Sequence, residues 1–167
     1  GAGLSAAELR EIGLAIGADV PYCIEGGSML AEGIGEVLTP LPPMPSCHVV
    51  ACKPPFSVVT AKVYARMNGG KLAIRPDTKG MLQALEAQDY SGVCHRLYNV
   101  MEMVTGSDYA EIGEIKDTML DHGADGAIMS GSGPTVFGLF ASEEISKDAA
   151  AALQGRFSAT FITHIRN

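Results

Sequence analysis

Basic residues are scarce in this sequence. Its 12 Lys and Arg stand against 19 Asp and Glu, for a net charge of -7. That balance excludes a broad surface for nucleic acid or an anionic membrane, although a local phosphate site stays open because only local potential matters there. No CxxC pair occurs: Cys23, Cys47, Cys52 and Cys94 lie in or beside apolar segments. Reduced core thiols are expected rather than zinc ligands or disulfides. His48, His95, His122 and His164 make no metal-spaced pair, so no metal ligand is assigned. There is no run of 18 apolar residues to span a bilayer and no signal peptide, and together these absences predict a cytoplasmic protein. What remains is an ordinary globular composition of 167 residues, 47% hydrophobic, suited to one well-buried domain or to one domain plus part of another.

The stretch from Gly126 to Phe140, GAIMSGSGPTVFGLF, organises the rest. Two short apolar runs, Ala127 to Met129 and Val136 to Phe140, flank the small-residue connection SGSGPT, and the pattern predicts two buried strands joined by a tight loop. Gly131 and Gly133 permit positive φ, so successive N–H groups can converge on one concavity, and Ser130, Ser132 and Thr135 offer hydroxyls to an anion. No GK[ST] follows, which excludes a Walker loop. From spacing alone, a phosphate seat and a plain glycine turn remain equally open.

Along the chain, Ser5 and Glu8 form a capping box with Leu4 and Leu9 placed as a hydrophobic staple, predicting a helix from Ala6 to Ile16 that stops at Gly17. Leu9, Ile12 and Ile16 are its expected buried stripe, and Gly13 implies close packing against a neighbour. Asp19 then falls just past the helix end and before Pro21, on the unfavourable side of the helix dipole; it is either a functional carboxylate or an acceptor within the turn. Gly27 to Pro40 reads as a β-hairpin turning at Glu32 to Gly35, and LPPMPS, with three prolines, reads as a linker with a domain boundary between 41 and 46.

Cys47 to Lys53 reads as a buried strand ended by two prolines. Thr60 is the expected N-cap of a short helix carrying Val63, Tyr64 and Met67. Three further helical patterns cover Thr78 to Gln88, Ser91 to Val104 and Ser107 to His122, the second of them reading as core. After the hairpin, Ser142 caps a helix from Glu143 to Gln154, and Ser158 to Ile165 closes the chain as a strand with Ala159, Phe161 and Thr163 on one face. Strand, helices, strand, strand, helix, strand is the order of an α+β, ferredoxin-like two-layer sandwich, preceded by a helix and hairpin that do not make a domain alone.

The segments GADVP, AEGIGEVLTPL, SVVTAKVY and GADGAIMSGSGPTVFGLF, in that order, resemble the GHMP small-molecule kinases over nearly the whole chain. Within that family the resemblance is to the branch acting on 4-diphosphocytidyl-2-C-methyl-D-erythritol in bacterial isoprenoid synthesis. It implies ATP, with Mg2+, as cofactor and transfer of the γ-phosphoryl group to the 2-hydroxyl of that substrate. Asp19 matches the catalytic aspartate, as base or as an electrostatic stabiliser. Ser130, Gly131, Ser132, Gly133, Pro134 and Thr135 match a phosphate-binding loop, while Thr60 and Tyr64 match the substrate site, with the tyrosine ring suited to stacking on the cytosine. Ordinary core packing is the alternative for Tyr64. Asn99 and Glu102 also follow the family pattern, with helix packing as their only evident role.

The family's glycine- and serine-rich ATP loop and its N-terminal lysine have no counterpart before Ala6. The expectation is therefore a C-terminal portion, with 1–43 a remnant of the N-terminal domain and 44–167 the C-terminal domain, inactive by itself and able to self-associate through apolar surface. Another GHMP kinase, acting on homoserine or mevalonate, and a non-catalytic ferredoxin-like ligand-binding module are the alternatives.

Overall fold

The computed structural model describes residues 3–68 and 75–165 and divides into two compact units, Gly1–Met44 and Pro45–Asn167. In the first unit, helix α1 (Ala6–Ile16) starts where the capping box sets it. Glu8 N donates to Ser5 Oγ at 3.3 Å, and the Glu8 carboxylate accepts from Ser5 N at 2.8 Å. These reciprocal bonds satisfy donors that a helix start otherwise exposes, and the Ser5 hydroxyl, which donates to the Glu8 carboxylate at 2.7 Å, together with Ser5 N holds that carboxyl below the usual carboxylate range.

The expected stripe is overturned. Gly13 is the buried residue of α1, whereas Leu9, Ile12 and Ile16 are exposed, Ile16 by 77%. The cause is a second helix, α2 (Val20–Glu25), that packs on the Gly13 side; a Cβ there would come within 2.8 Å of Val20 Cγ1. Helix α2 also corrects the reading of Asp19, which is the N-cap residue of α2 and so stands at the favourable end of a helix dipole. Strands β1 (Met29–Glu32) and β2 (Val37–Pro40) form the hairpin, in register from Met29 opposite Pro40 to Glu32 opposite Val37.

The second unit contains strand β3 (Cys47–Lys53), helices α3 (Thr60–Asn68), α4 (Thr78–Glu86), α5 (Tyr90–Cys94), α6 (Glu102–Asp108) and α7 (Ala110–Asp121), strands β4 (Gly126–Met129) and β5 (Val136–Phe140), helix α8 (Glu143–Gln154) and strand β6 (Ala159–Ile165). The sheet order is β4-β5-β3-β6 with every neighbouring pair antiparallel. Strand β5 thus lies between β3 and β4, the split βαβ arrangement of a ferredoxin-like fold.

Alternation along the strands turns Val50, Cys52, Met129, Val136 and Phe140 to one face, where Ile112, Ile115 and Met119 of α7 and Ala149, Ala150 and Leu153 of α8 close the core. Phe161 is 65% exposed; the β3–β6 register sets Thr160 and Ile162 beside Cys52 and Val50, so the face that Ala159, Phe161 and Thr163 share is the outer one.

The helix expected from Ser91 to Val104 is broken into α5 and α6, with turns at 95–96 and 100–101 around an irregular stretch at 97–99. Val93 of its stripe is buried, but Leu97, Val100 and Val104 are only half-buried. Its polar break residue, Asn99, makes distant bonds described below. Among the described residues no helix is long and apolar enough to cross a membrane.

Candidate functional site

The connection between β4 and β5 is a closed loop. Ser130 N donates to Thr135 O at 2.8 Å and Gly133 N to Ser130 O at 2.9 Å, while Gly131 and Gly133 take φ of +55° and +85°. The Gly133–Pro134 peptide is cis and Pro134 is buried. With those two donors used internally, the N–H groups of Gly131 and Ser132 make no hydrogen bond among the described residues. Unengaged amides on consecutive residues suit an anion.

Thr60 reaches this loop: its Oγ1 lies 2.8 Å from Ser132 Oγ, across 72 positions of sequence. Thr60 is the first residue inside α3 rather than its cap; Val59 O accepts from Lys62 N and Val63 N in the first turn. That frees the Thr60 hydroxyl for the loop. Tyr64, one turn further along α3, is 51% exposed, against the core-packing alternative, whereas its neighbour Val63 is buried. Beneath α3 a cavity of about 170 Å³ is lined by Val59, Lys62, Arg66 and Thr105, with Arg66 ion-paired to Asp108.

Two residues whose role the sequence left open fasten the loop from behind. Asn99 Nδ2 donates to Met129 O and to Gly131 O, both at 2.8 Å, and Asn99 Oδ1 accepts from Met101 N at 2.9 Å. The Glu102 carboxylate accepts from Met129 N at 2.6 Å and pairs with Lys116 of α7. Thr105, 1% exposed, donates its hydroxyl to Ser132 O at 3.1 Å. The signal for Asn99 and Glu102 was a polar pair three residues apart in an otherwise apolar stretch; Thr105 gave none.

The structure therefore brings Thr60 and the Ser130–Thr135 loop together within the second unit, with Tyr64 on the same helix. Asp19 belongs to the first unit, where it is exposed and its carboxylate makes no capping bond. Among the described residues no three metal-ligating side chains cluster. A cavity of about 500 Å³ is lined by His48, Glu143, Ile162 and His164 and by none of the predicted site residues, whereas one of about 460 Å³ is lined by Ser130 and Gly131 together with Asn99.

Residues 81–159 match the family model described as "GHMP kinases C terminal". The chain is similar to the 4-diphosphocytidyl-2-C-methyl-D-erythritol kinase of Lachnospira eligens, 49% identical over 82% of this chain and 48% of the relative. To the protein of the same name from Alkaliphilus oremlandii it is 45% identical over 99% of this chain and 57% of the relative. A solved 4-(cytidine 5'-diphospho)-2C-methyl-D-erythritol kinase shares the fold at a TM-score of 0.76 and 28% identity, over 99% of this chain and 59% of that one. A homoserine kinase from Cytophaga hutchinsonii shares it at 0.73 and 21% identity over the same shares, a likeness of fold alone. The chain spans about half the length of the curated relatives it matches.

Proposed function

This chain carries the C-terminal domain of the GHMP kinases, and on that premise we propose that it works in ATP-dependent phosphorylation of the 2-hydroxyl of 4-diphosphocytidyl-2-C-methyl-D-erythritol. Residues 1–43 belong in this reading to the N-terminal domain and 44–167 to the C-terminal one. The observation that carries the proposal is the hydrogen bond between Thr60 and Ser132, which joins the helix bearing Tyr64 to a loop with unengaged backbone donors.

ATP, accompanied by Mg2+, supplies the phosphoryl group. The chain's own residues bind and orient. The N–H groups of Gly131 and Ser132 hold phosphate oxygens, the hydroxyls of Ser130, Ser132 and Thr135 add donors, and the Tyr64 ring stacks on the cytosine with Thr60 beside it. Asp19 orients the substrate hydroxyl and accepts its proton. The loop fits phosphate in its donor chemistry, being composed of amides and hydroxyls with no carboxylate.

The test of the substrate assignment is a melting-temperature measurement with cytidine diphosphate on wild type and Tyr64→Ala. A ligand at a hundred times its Kd stabilises the native state by about 2.7 kcal/mol. An upward shift in wild type that Tyr64→Ala abolishes is expected. A melting temperature that ignores the nucleotide in wild type refutes the cytidyl assignment.

A further inference from the structure

Strand β4 is an edge of the sheet, so one side of its backbone has no neighbouring strand among the described residues. At Met129, the last residue before the loop, both outward groups are nevertheless taken: the N–H by Glu102 and the C=O by Asn99. Asn99 spends its remaining donor hydrogen on Gly131 O and its oxygen on Met101 N, so every polar atom of the carboxamide is engaged and its orientation is fixed. Both oxygens of Glu102 are likewise engaged, one by Met129 and one by Lys116. The pair is a clamp on the point where strand becomes loop.

The clamp also determines where the loop's donors point. Gly133–Pro134 is the cis peptide bond among the described residues, so the Gly131–Ser132 peptide is trans, and in a planar trans peptide the C=O and the following N–H point in opposite directions. Holding Gly131 O against Asn99 therefore turns the Ser132 N–H away from the protein body. Thr105 holds Ser132 O in the same manner, and the Gly133 N–H on the far side of that peptide closes the loop onto Ser130 O. One donor shuts the turn and another faces outward.

We propose that Asn99 is a positioning residue for phosphate binding: by gathering the Met129 and Gly131 carbonyls it aims the Ser132 N–H at a phosphate oxygen, with Glu102 and Lys116 as its support. The inference rests on the reading of Ser130–Thr135 as a phosphate-binding loop. Asn99 touches neither substrate nor phosphate. Its contribution is preorganisation, since a loop whose amide must be turned at the moment of binding holds its ligand more weakly.

The experiment is a titration of the 167-residue chain with inorganic pyrophosphate, followed through the amide resonances of Gly131 and Ser132, alongside a melting curve for each variant. Asn99→Asp keeps the size and the acceptor but sets a carboxylate against two carbonyl oxygens. It is expected to weaken pyrophosphate binding at least tenfold and to remove the Ser132 amide response. Leu153→Ala, a core truncation on α8, supplies the comparison for stability loss alone and leaves the affinity within threefold of wild type. If Asn99→Asp does not fold, Asn99→Ser, whose hydroxyl can serve only one of the two carbonyls, is expected to weaken binding three- to tenfold. Wild-type amides that ignore pyrophosphate overturn the phosphate reading itself and this inference with it. Binding in wild type that the folded Asn99 variant retains within threefold overturns the positioning role and leaves the phosphate reading standing.

Discussion

Replacing Gly133 by alanine tests how tightly the loop is seated on the core. Gly133 has φ of +85°, a region that costs an L-residue with a Cβ about 1–2 kcal/mol. A Cβ there would also lie 2.5 Å from Met129 Sδ and 3.4 Å from Thr105 Cγ2. Met129 is 1% exposed inside the core and cannot swing into solvent, so relief must come from core rearrangement, typically about 1–3 kcal/mol. The sum is about 2–5 kcal/mol. Gly131 is the internal control: its φ is +55°, but a Cβ there meets nothing within 4 Å, so only the backbone cost of about 1–2 kcal/mol applies. Urea unfolding followed by circular dichroism, with amide exchange of β5 to report the second unit, measures both variants. Gly133→Ala should exceed Gly131→Ala by about 1–3 kcal/mol, and most of that excess should vanish when Met129 is also shortened to Ala, because the clash disappears. Equal losses for the two glycines would refute the argument that the loop is wedged against Met129.

Two further outcomes follow from the cysteines and Tyr90. Cys23 is exposed while Cys47, Cys52 and Cys94 are buried, so native protein should consume one equivalent of a thiol reagent and denatured protein four. Burial raises the Cys47 thiol from 9.0 to about 11 and pushes Cys52, Cys94 and Tyr90 upward as well, with Asp125 beside Tyr90 adding to the effect. Folded protein therefore keeps protons that the unfolded chain has released. For Cys47 the stability is intact below pH 9 and is lost as pH rises to about 11, at about 1.4 kcal/mol per pH unit. Urea midpoints between pH 8 and 11 should fall, and a flat profile would contradict the burial of the thiol.

The parts of the fold that were legible in the sequence are those set by local chemistry. Ser5 and Glu8 fix the start of α1 through bonds three residues apart, Ser142 caps α8, and the glycines of SGSGPT with their apolar flanks specify a turn between strands. The order of elements from Cys47 onward was enough to imply the ferredoxin-like sandwich. Asn99 was not legible in the same way. The carbonyls it holds lie 30 and 32 residues later in the chain, so the break between α5 and α6 is decided by the tertiary fold against the helical periodicity.

The first 25 residues misled for a related reason. Leu9, Ile12 and Ile16 have the spacing of a buried face, yet in this structure the neighbouring helix is received at Gly13. Asp19 looked ill placed because GADVP was read as a helix end; Pro21 sits comfortably in the first turn of a new helix, where its missing N–H is no loss. At the candidate site, the loop could be singled out from residue type, and Tyr64 from the family resemblance. The Thr60–Ser132 contact could not, since it spans 72 positions and depends on α3 beginning at Thr60.

The two margins of the four-stranded sheet are unlike. At β4, Asn99 and Glu102 occupy the backbone groups of Met129 that another strand would need, and the strand is only four residues long. At β6, seven residues run along the opposite margin with Phe161 and Ile162 exposed and no strand beyond them among the described residues. A sheet guarded on one side and open on the other can extend by strand pairing in a single direction. Two copies meeting at their β6 margins would leave only the β4 margins of this sheet outside, so growth through this sheet would stop at a pair.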